Sequence, residues 1–140
     1  MKLAKTTFAG YYGRWHSDPN LPRDKVDLIY SAWVESALCD PNGYVEVAEL
    51  WDCIVGCSIW TSAEFGEYRV ERSSLAMVGP EAQGRGIYRG FLQNGMARFG
   101  TSCLGLLGST HIANVGVQNA LADNGWRPTS TRYALHGWFS

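Results

Sequence analysis

The sequence has no surplus of either charge: 12 basic and 13 acidic side chains leave a formal net charge of -1 at pH 7. A chain so balanced has no overall field to draw in nucleic acid, so no nucleic-acid partner is expected. Any anionic ligand must be held by local groups. No apolar run approaches the roughly 18 residues of a membrane-crossing helix. The opening segment MKLAKTTFAGYYGRW has no apolar stretch of signal-peptide length. A soluble, cytoplasmic protein with no membrane partner is the expectation. The four cysteines, Cys39, Cys53, Cys57 and Cys103, form no Cys-x2-Cys pair, which leaves neither a zinc spacing nor a dense disulfide framework. No metal is expected. Cys53 and Cys57 would share one face of a strand, so the thiols read as small core residues before they read as redox groups. Repeats, linkers and low-complexity tracts are missing as well. With 140 residues the chain, 1–140, makes a single domain with one core.

What is present is a regular alternation of periods. Aromatic and glycine residues suggest a strand over residues 3–12. Asp18-Pro19-Asn20 is turn chemistry, and Pro22 then opens a helix. Val26, Ile29, Tyr30, Trp33 and Ala37 form its apolar stripe, and Asp24 suits the dipole of its first turn. It ends before Asp40-Pro41-Asn42-Gly43. Three strand-like runs follow, over 44–50, 53–62 and 69–78, the first two joined by a short turn, as in an antiparallel meander. A helix over 86–99 stops at Gly100, a short buried strand covers 103–107, and a helix over 114–124 closes at Gly125. Residues 129–139 supply a last strand or pair of strands. The order β-α-β-β-β-α-β-α-β predicts an α/β class with a mixed, mostly antiparallel sheet and helices on its faces.

One junction carries chemistry. After Val78-Gly79-Pro80 the chain turns, and a helix begins at Gln83-Gly84-Arg85-Gly86-Ile87-Tyr88. The first N–H groups of a helix lack backbone acceptors, its dipole makes that end partly positive, and glycines let a bulky anion approach. Such a loop suits a pyrophosphate, with Arg85 and Arg89 adding local charge. A purely structural turn is the competing reading. It is not a Walker loop, since no Gly-Lys-Ser/Thr follows. Nor is it the dinucleotide Gly-x-Gly-x-x-Gly, whose third glycine would fall at Arg89.

This run resembles motif A of the GCN5-related N-acetyltransferases: Gln83 and Gly86 fit Gln/Arg-x-x-Gly-x-Gly/Ala, and Val78 with Pro80 fits the strand end before it. Tyr88 departs from the small last residue, so the start of the helix is more crowded. A second match lies downstream, where Asn114 stands eleven residues before Gly125-Trp126. Arg14-Trp15-His16-Ser17-Asp18-Pro19 and Ser130-Thr131-Arg132-Tyr133-Ala134-Leu135-His136-Gly137-Trp138 are similar to segments of amino-sugar acetyltransferases of the TDP-fucosamine type. The resemblance implies an acyl-CoA N-acyltransferase-like fold. It also implies acetyl-CoA as co-substrate and transfer of the acetyl group by direct attack of a small-molecule primary amine.

It assigns the cofactor to Met77, Val78, Gln83, Gly84, Arg85, Gly86, Ile87, Tyr88 and Asn114. A backbone N–H near Met77 or Val78 would face the oxyanion. Asn114 would bond the pantetheine arm, although an ordinary helix N-cap explains it equally well. The family's tyrosine general acid, seven residues after the Asn, falls here on Leu121, which holds no proton to give. A non-catalytic acyl-CoA-binding or regulatory module is therefore the alternative. Candidate bases are Glu71, for which a solvated strand-edge role is favoured, and His111, whose imidazole titrates in a useful range. Arg14, His16 and Asp18 are candidate substrate contacts, with turn capping slightly favoured for His16 and Asp18. His136 has no assigned task. A homodimer is expected only because such dimers are common.

Overall fold

The computed structural model describes residues 2–8 and 13–138. Two helices come first, α1 (Lys2–Phe8) and α2 (Arg23–Leu38), followed by strands β1 (Tyr44–Leu50), β2 (Cys53–Phe65) and β3 (Tyr68–Val78). A turn of 3-10 helix (Pro80–Ala82) leads to α3 (Ile87–Phe99), β4 (Gly105–Gly108) and α4 (Val115–Asp123). The strands form one sheet in the order β1-β2-β3-β4. The first three pair antiparallel, as the meander predicts, and β4 pairs parallel to β3.

Helices cover both faces. On one, Ala4 and Phe8 of α1 and Tyr30, Val34 and Ala37 of α2 pack with Cys57, Ile59, Leu75 and Met77. Phe8 stacks on Tyr30 with ring centroids 4.0 Å apart. On the other face, α3 presses Gly95 against Trp60 so closely that a Cβ would lie 2.2 Å from the indole. Trp60 is fully buried there beside Phe99. Among the described residues no helix is long and apolar enough to cross a membrane.

Three expectations need correction. The strand over 3–12 is, in its described part, a helix: Ala4 and Phe8 stand one helical turn apart, and both are buried against α2 and the sheet. That contact outweighs the strand preference of Thr6 and Thr7; residues 9–12 lie outside the described residues. The last strand over 129–139 is not formed among residues 129–138, which join no ladder. Finally, only Cys57 is a buried cysteine, while Cys39 and Cys53 are exposed, because Cys53 sits at the solvent end of β2.

Candidate functional site

β3 outruns β4. Their pairing runs from Val70 with Gly105 to Ser73 with Gly108 and stops, while β3 continues to Val78. The register of β2 on β3 shifts where pairing stops: Trp60 faces Ser73 and Ile59 faces Leu75, so Ser74 is an extra residue. A bulge bends and twists its strand, here turning the end of β3 away from β4. Ser74 is fixed by a 2.5 Å hydroxyl contact with Thr61. Beyond it lies an open strand edge.

Gly79 donates its N–H to the Val55 carbonyl at 2.8 Å. Because backbone groups alternate along a strand, Met77 turns its amide toward Cys57, its partner on β2. Ala76 and Val78 then turn theirs toward the open edge. Of the two amides expected near the thioester, Val78 supplies the one facing the cleft, and the Met77 side chain is core. Gln83 Nε2 donates to the Val78 carbonyl at 3.2 Å, which leaves the strand end its outward N–H.

The turn that follows is built for a close approach. Ala82 bonds back to Gly79, and Gln83 to Pro80. Gly84 and Gly86 then take φ of 75° and 78°, a region open to glycine at little cost. The first bond into α3 runs from Gly90 N–H to Gly86 O, 2.9 Å. Among the described residues, the amides of Gly84, Arg85, Gly86, Ile87 and Tyr88 donate to no protein acceptor, and Gln83 to Gly86 are exposed. Gly56 lets this end of α3 down onto the sheet, since a Cβ there would lie 3.1 Å from Ile87 and 3.2 Å from Phe91. The two arginines differ. Arg89 is ion-paired with Asp123 of α4, whereas Arg85 is exposed and makes no ion pair among the described residues. Burial pushes the Tyr88 phenol up to about 12, so it sets no negative charge beside an anion near neutral pH.

Across the cleft, Asn114 caps α4: its Oδ1 accepts from Val117 N–H at 3.2 Å. The N-cap reading therefore holds for the oxygen, and the amide's NH₂ end is the part left for another partner. His111 lies in the turn after β4, where its carbonyl accepts from Asn114 N–H and its Nδ1 from Ala113 N–H at 3.2 Å. A ring that accepts at Nδ1 carries its neutral-state proton on Nε2. His111 thus presents a donor more readily than a base. Leu121 packs toward Gly108 beneath Trp126.

Glu71 is not the solvated glutamate favoured from sequence. It is 2% exposed, accepts from Ser62 Oγ at 2.8 Å and Arg69 Nε at 2.7 Å, and shares the face of Ser62 and Trp60 under α3. The Ser74 bulge put it there: without the extra residue, Glu71 and Leu75, four apart, would share a face.

The segment from Arg14 to Asp18 lies between α1 and α2, with His16 and Asp18 buried and Arg14 and Ser17 exposed. His16 bonds Asp27 at 3.0 Å and stacks on Tyr30, and Arg14 lies 4.9 Å over the Trp15 ring. Asp18 Oδ1 accepts from Asn20 N–H at 2.9 Å, the turn capping favoured from sequence. Its other oxygen meets His136 Nδ1 at 2.5 Å. Sequence reasoning gave His136 no role, and a contact across 118 residues leaves no local signal.

The chain as a whole superposes on solved structures. A transcriptional regulator from Bacillus halodurans C-125 superposes with TM-score 0.73 at 15% identity, over 97% of this chain and 91% of that one. An aminoglycoside 6'-N-acetyltransferase from Acinetobacter haemolyticus gives 0.64 at 10%, over 99% and 94%. An aminoglycoside N-acetyltransferase in complex with CoA gives 0.63 at 16%, over 78% and 86%. The fold is the acyl-CoA N-acyltransferase fold. At these identities the likeness to N-acetyltransferases concerns architecture alone. No family model and no curated protein sequence matches the chain. Within the acyltransferase fold, the open end of β3 leads directly into the glycine turn before α3.

Proposed function

We propose that the protein is an acetyl-CoA-dependent N-acetyltransferase acting on the primary amine of a small molecule, with an amino sugar as the acceptor class to try first. The observation that carries this reading is the row of uncommitted amides from Gly84 to Tyr88, continuous with the outward amide of Val78. The glycine turn would hold the diphosphate, with Arg85 as the local cation. Ala76 would hydrogen-bond the extended pantetheine arm as a neighbouring strand would, joined by Asn114. Val78 N–H would face the oxyanion that forms when the amine attacks. The acceptor would approach from the loop of Arg14, His16 and Asp18, and the amino-sugar choice rests on its likeness to the TDP-fucosamine-type segments.

His111 would border the departing sulfur, and the proton that neutralises the thiolate would come from the attacking amine, since Leu121 has no hydroxyl to supply it. A positioned acid is worth about 10²–10⁴-fold, and a thiolate with a reference pKa of roughly 8.5 leaves passably without one. Glu71 is the weaker candidate for proton transfer, since Ser62 and Arg69 already hold its carboxylate.

Leu121 also supports a second reading, a module that binds acyl-CoA and turns nothing over. The neighbour described as a transcriptional regulator fits that reading as well. Two measurements separate the cases. Acetyl-CoA at 100 times its dissociation constant should add about 2.7 kcal/mol to stability, and Gly86→Asp should remove that gain. Thiol release from acetyl-CoA with a panel of primary amines and amino sugars should then exceed background. Binding without release would favour the module, and a flat melting temperature would remove both readings.

A further inference from the structure

Outside the cofactor tract, one pair of titratable side chains has the geometry of a working base. Asp18 is 9% exposed, and both its oxygens are occupied, one by Asn20 N–H and one by His136 Nδ1. A carboxylate only accepts, so Nδ1 carries the ring proton and the lone pair of neutral His136 lies on Nε2. This is the reverse of His111. Trp15 stacks on the imidazole with centroids 5.3 Å apart and planes 28° from parallel, which fixes the direction of Nε2. The His136 side chain keeps 21% of its surface open.

The chain path links the pair to the end of β4. Trp126 rests on Gly108 at the end of β4 and bonds Leu121 O at 3.1 Å. Ten residues later His136 is fastened to the loop between α1 and α2. That loop borders the face of the sheet covered by α1 and α2, since His16 stacks on Tyr30, and Tyr30 shares a core with Cys57 and Ile59 of β2 and Leu75 and Met77 of β3. The tail therefore runs from the end of β4 to the loop that the transferase reading gives to the acceptor, and His136 is fastened there.

We propose that His136 Nε2 is the general base that takes the ammonium proton of the acceptor, with Asp18 as the positioning residue that fixes its tautomer. This rests on the transferase reading above. The bound ammonium gives one proton to Nε2, which passes it to solvent after turnover. The neutral amine forms the N–C bond as the C–S bond breaks, and the electron pair leaves on sulfur. The second amine proton offsets the thiolate. His136's hydrogen bond is the largest influence holding the Asp18 carboxyl below its ordinary range, with the Asn20 amide next. The other charged groups around the pair are Arg14, Arg23 on the His16 carbonyl, and the His16–Asp27 pair.

The test compares native protein with His136→Gln, His136→Ala and Asp18→Asn. Thiol release is followed from pH 5 to 9, acetyl-CoA affinity is measured separately, and imidazole ¹⁵N spectra are recorded. Native kcat/KM should fall toward acid pH as the base takes up a proton. His136→Gln should lose that pH dependence and about 10²–10⁴-fold in kcat with acetyl-CoA affinity unchanged. Added imidazole should restore part of the rate of His136→Ala, which a merely structural loss would not allow. The native spectrum should show the neutral ring protonated at Nδ1, and Asp18→Asn should weaken that preference. A His136→Gln enzyme within about threefold of native, or a ring proton found on Nε2, overturns this assignment and leaves the transferase reading standing. A native chain that binds acetyl-CoA yet releases no thiol with any amine overturns both.

Discussion

Gly79 donates its N–H to Val55 across 2.8 Å, and this bond sets which amides at the end of β3 remain available. It commits Met77 to the ladder with Cys57 and turns Val78 outward. Proline, which has no N–H, tells the two apart. Val78→Pro should fold and still bind acetyl-CoA but lose about 10²–10³-fold in kcat, the usual cost of one oxyanion donor. Met77→Pro should lose the folded state, because its N–H belongs to the sheet. Steady-state kinetics and thermal melts of both variants check the assignment.

The two arginines of the glycine turn should separate affinity from stability. Arg85 makes no ion pair among the described residues, and Arg85→Ala should weaken acetyl-CoA binding about 5–30-fold, or 1–2 kcal/mol, more so at low salt than at high. Arg89 ties α3 to Asp123 at the surface. Arg89→Ala should leave affinity within about threefold and lower stability by no more than about 1 kcal/mol. Calorimetric titration at two salt concentrations decides between them.

Packing of α3 on the sheet rests on Gly95 beneath Trp60. A methyl group there would sit 2.2 Å from the indole, and the ring is fully buried. Gly95→Ala should destabilise by about 1–3 kcal/mol through overpacking, a drop in melting temperature of roughly 3–10 °C for a domain of this size. An unchanged melting temperature would show that the helix yields without cost.

Asp18 gives stability a definite acid limb. Its carboxyl titrates below the ordinary value of 3.8, first because of His136 and then because of Asn20. The unfolded chain therefore binds more protons in the interval between the two values, and stability rises with pH across it. The contribution is present above pH 3.8 and is lost as pH falls through the folded value. Melting curves taken from neutral pH down through the interval below 3.8 should show Asp18→Asn with a flatter acid side than the native protein.

Much of the architecture was legible because local signals agreed with tertiary packing. The stripe of Val26, Tyr30 and Ala37 marks α2, and all three are buried. Gly84 and Gly86 mark the turn before α3, and both take positive φ. What escaped had no local signature. The single extra residue at Ser74 changes the face of Glu71, and alternation alone cannot reveal it. The helical α1 depends on Phe8 meeting Tyr30. The tail of residues 129–138 reads as a strand from its composition, yet its anchors include an imidazole on a carboxylate 118 residues away. Chemistry followed the same division: the cofactor tract lies within one contiguous segment, whereas the Asp18–His136 pair exists only in the fold.

The account depends on the amides of Gly84 to Tyr88 and of Ala76 and Val78 lining one binding tract. Titration of ¹⁵N-labelled protein with coenzyme A tests this residue by residue. Those amide resonances should move together and saturate at one dissociation constant, while amides of α2 stay in place. If the glycine-turn amides do not respond while coenzyme A binds elsewhere, or if nothing binds, the account is wrong.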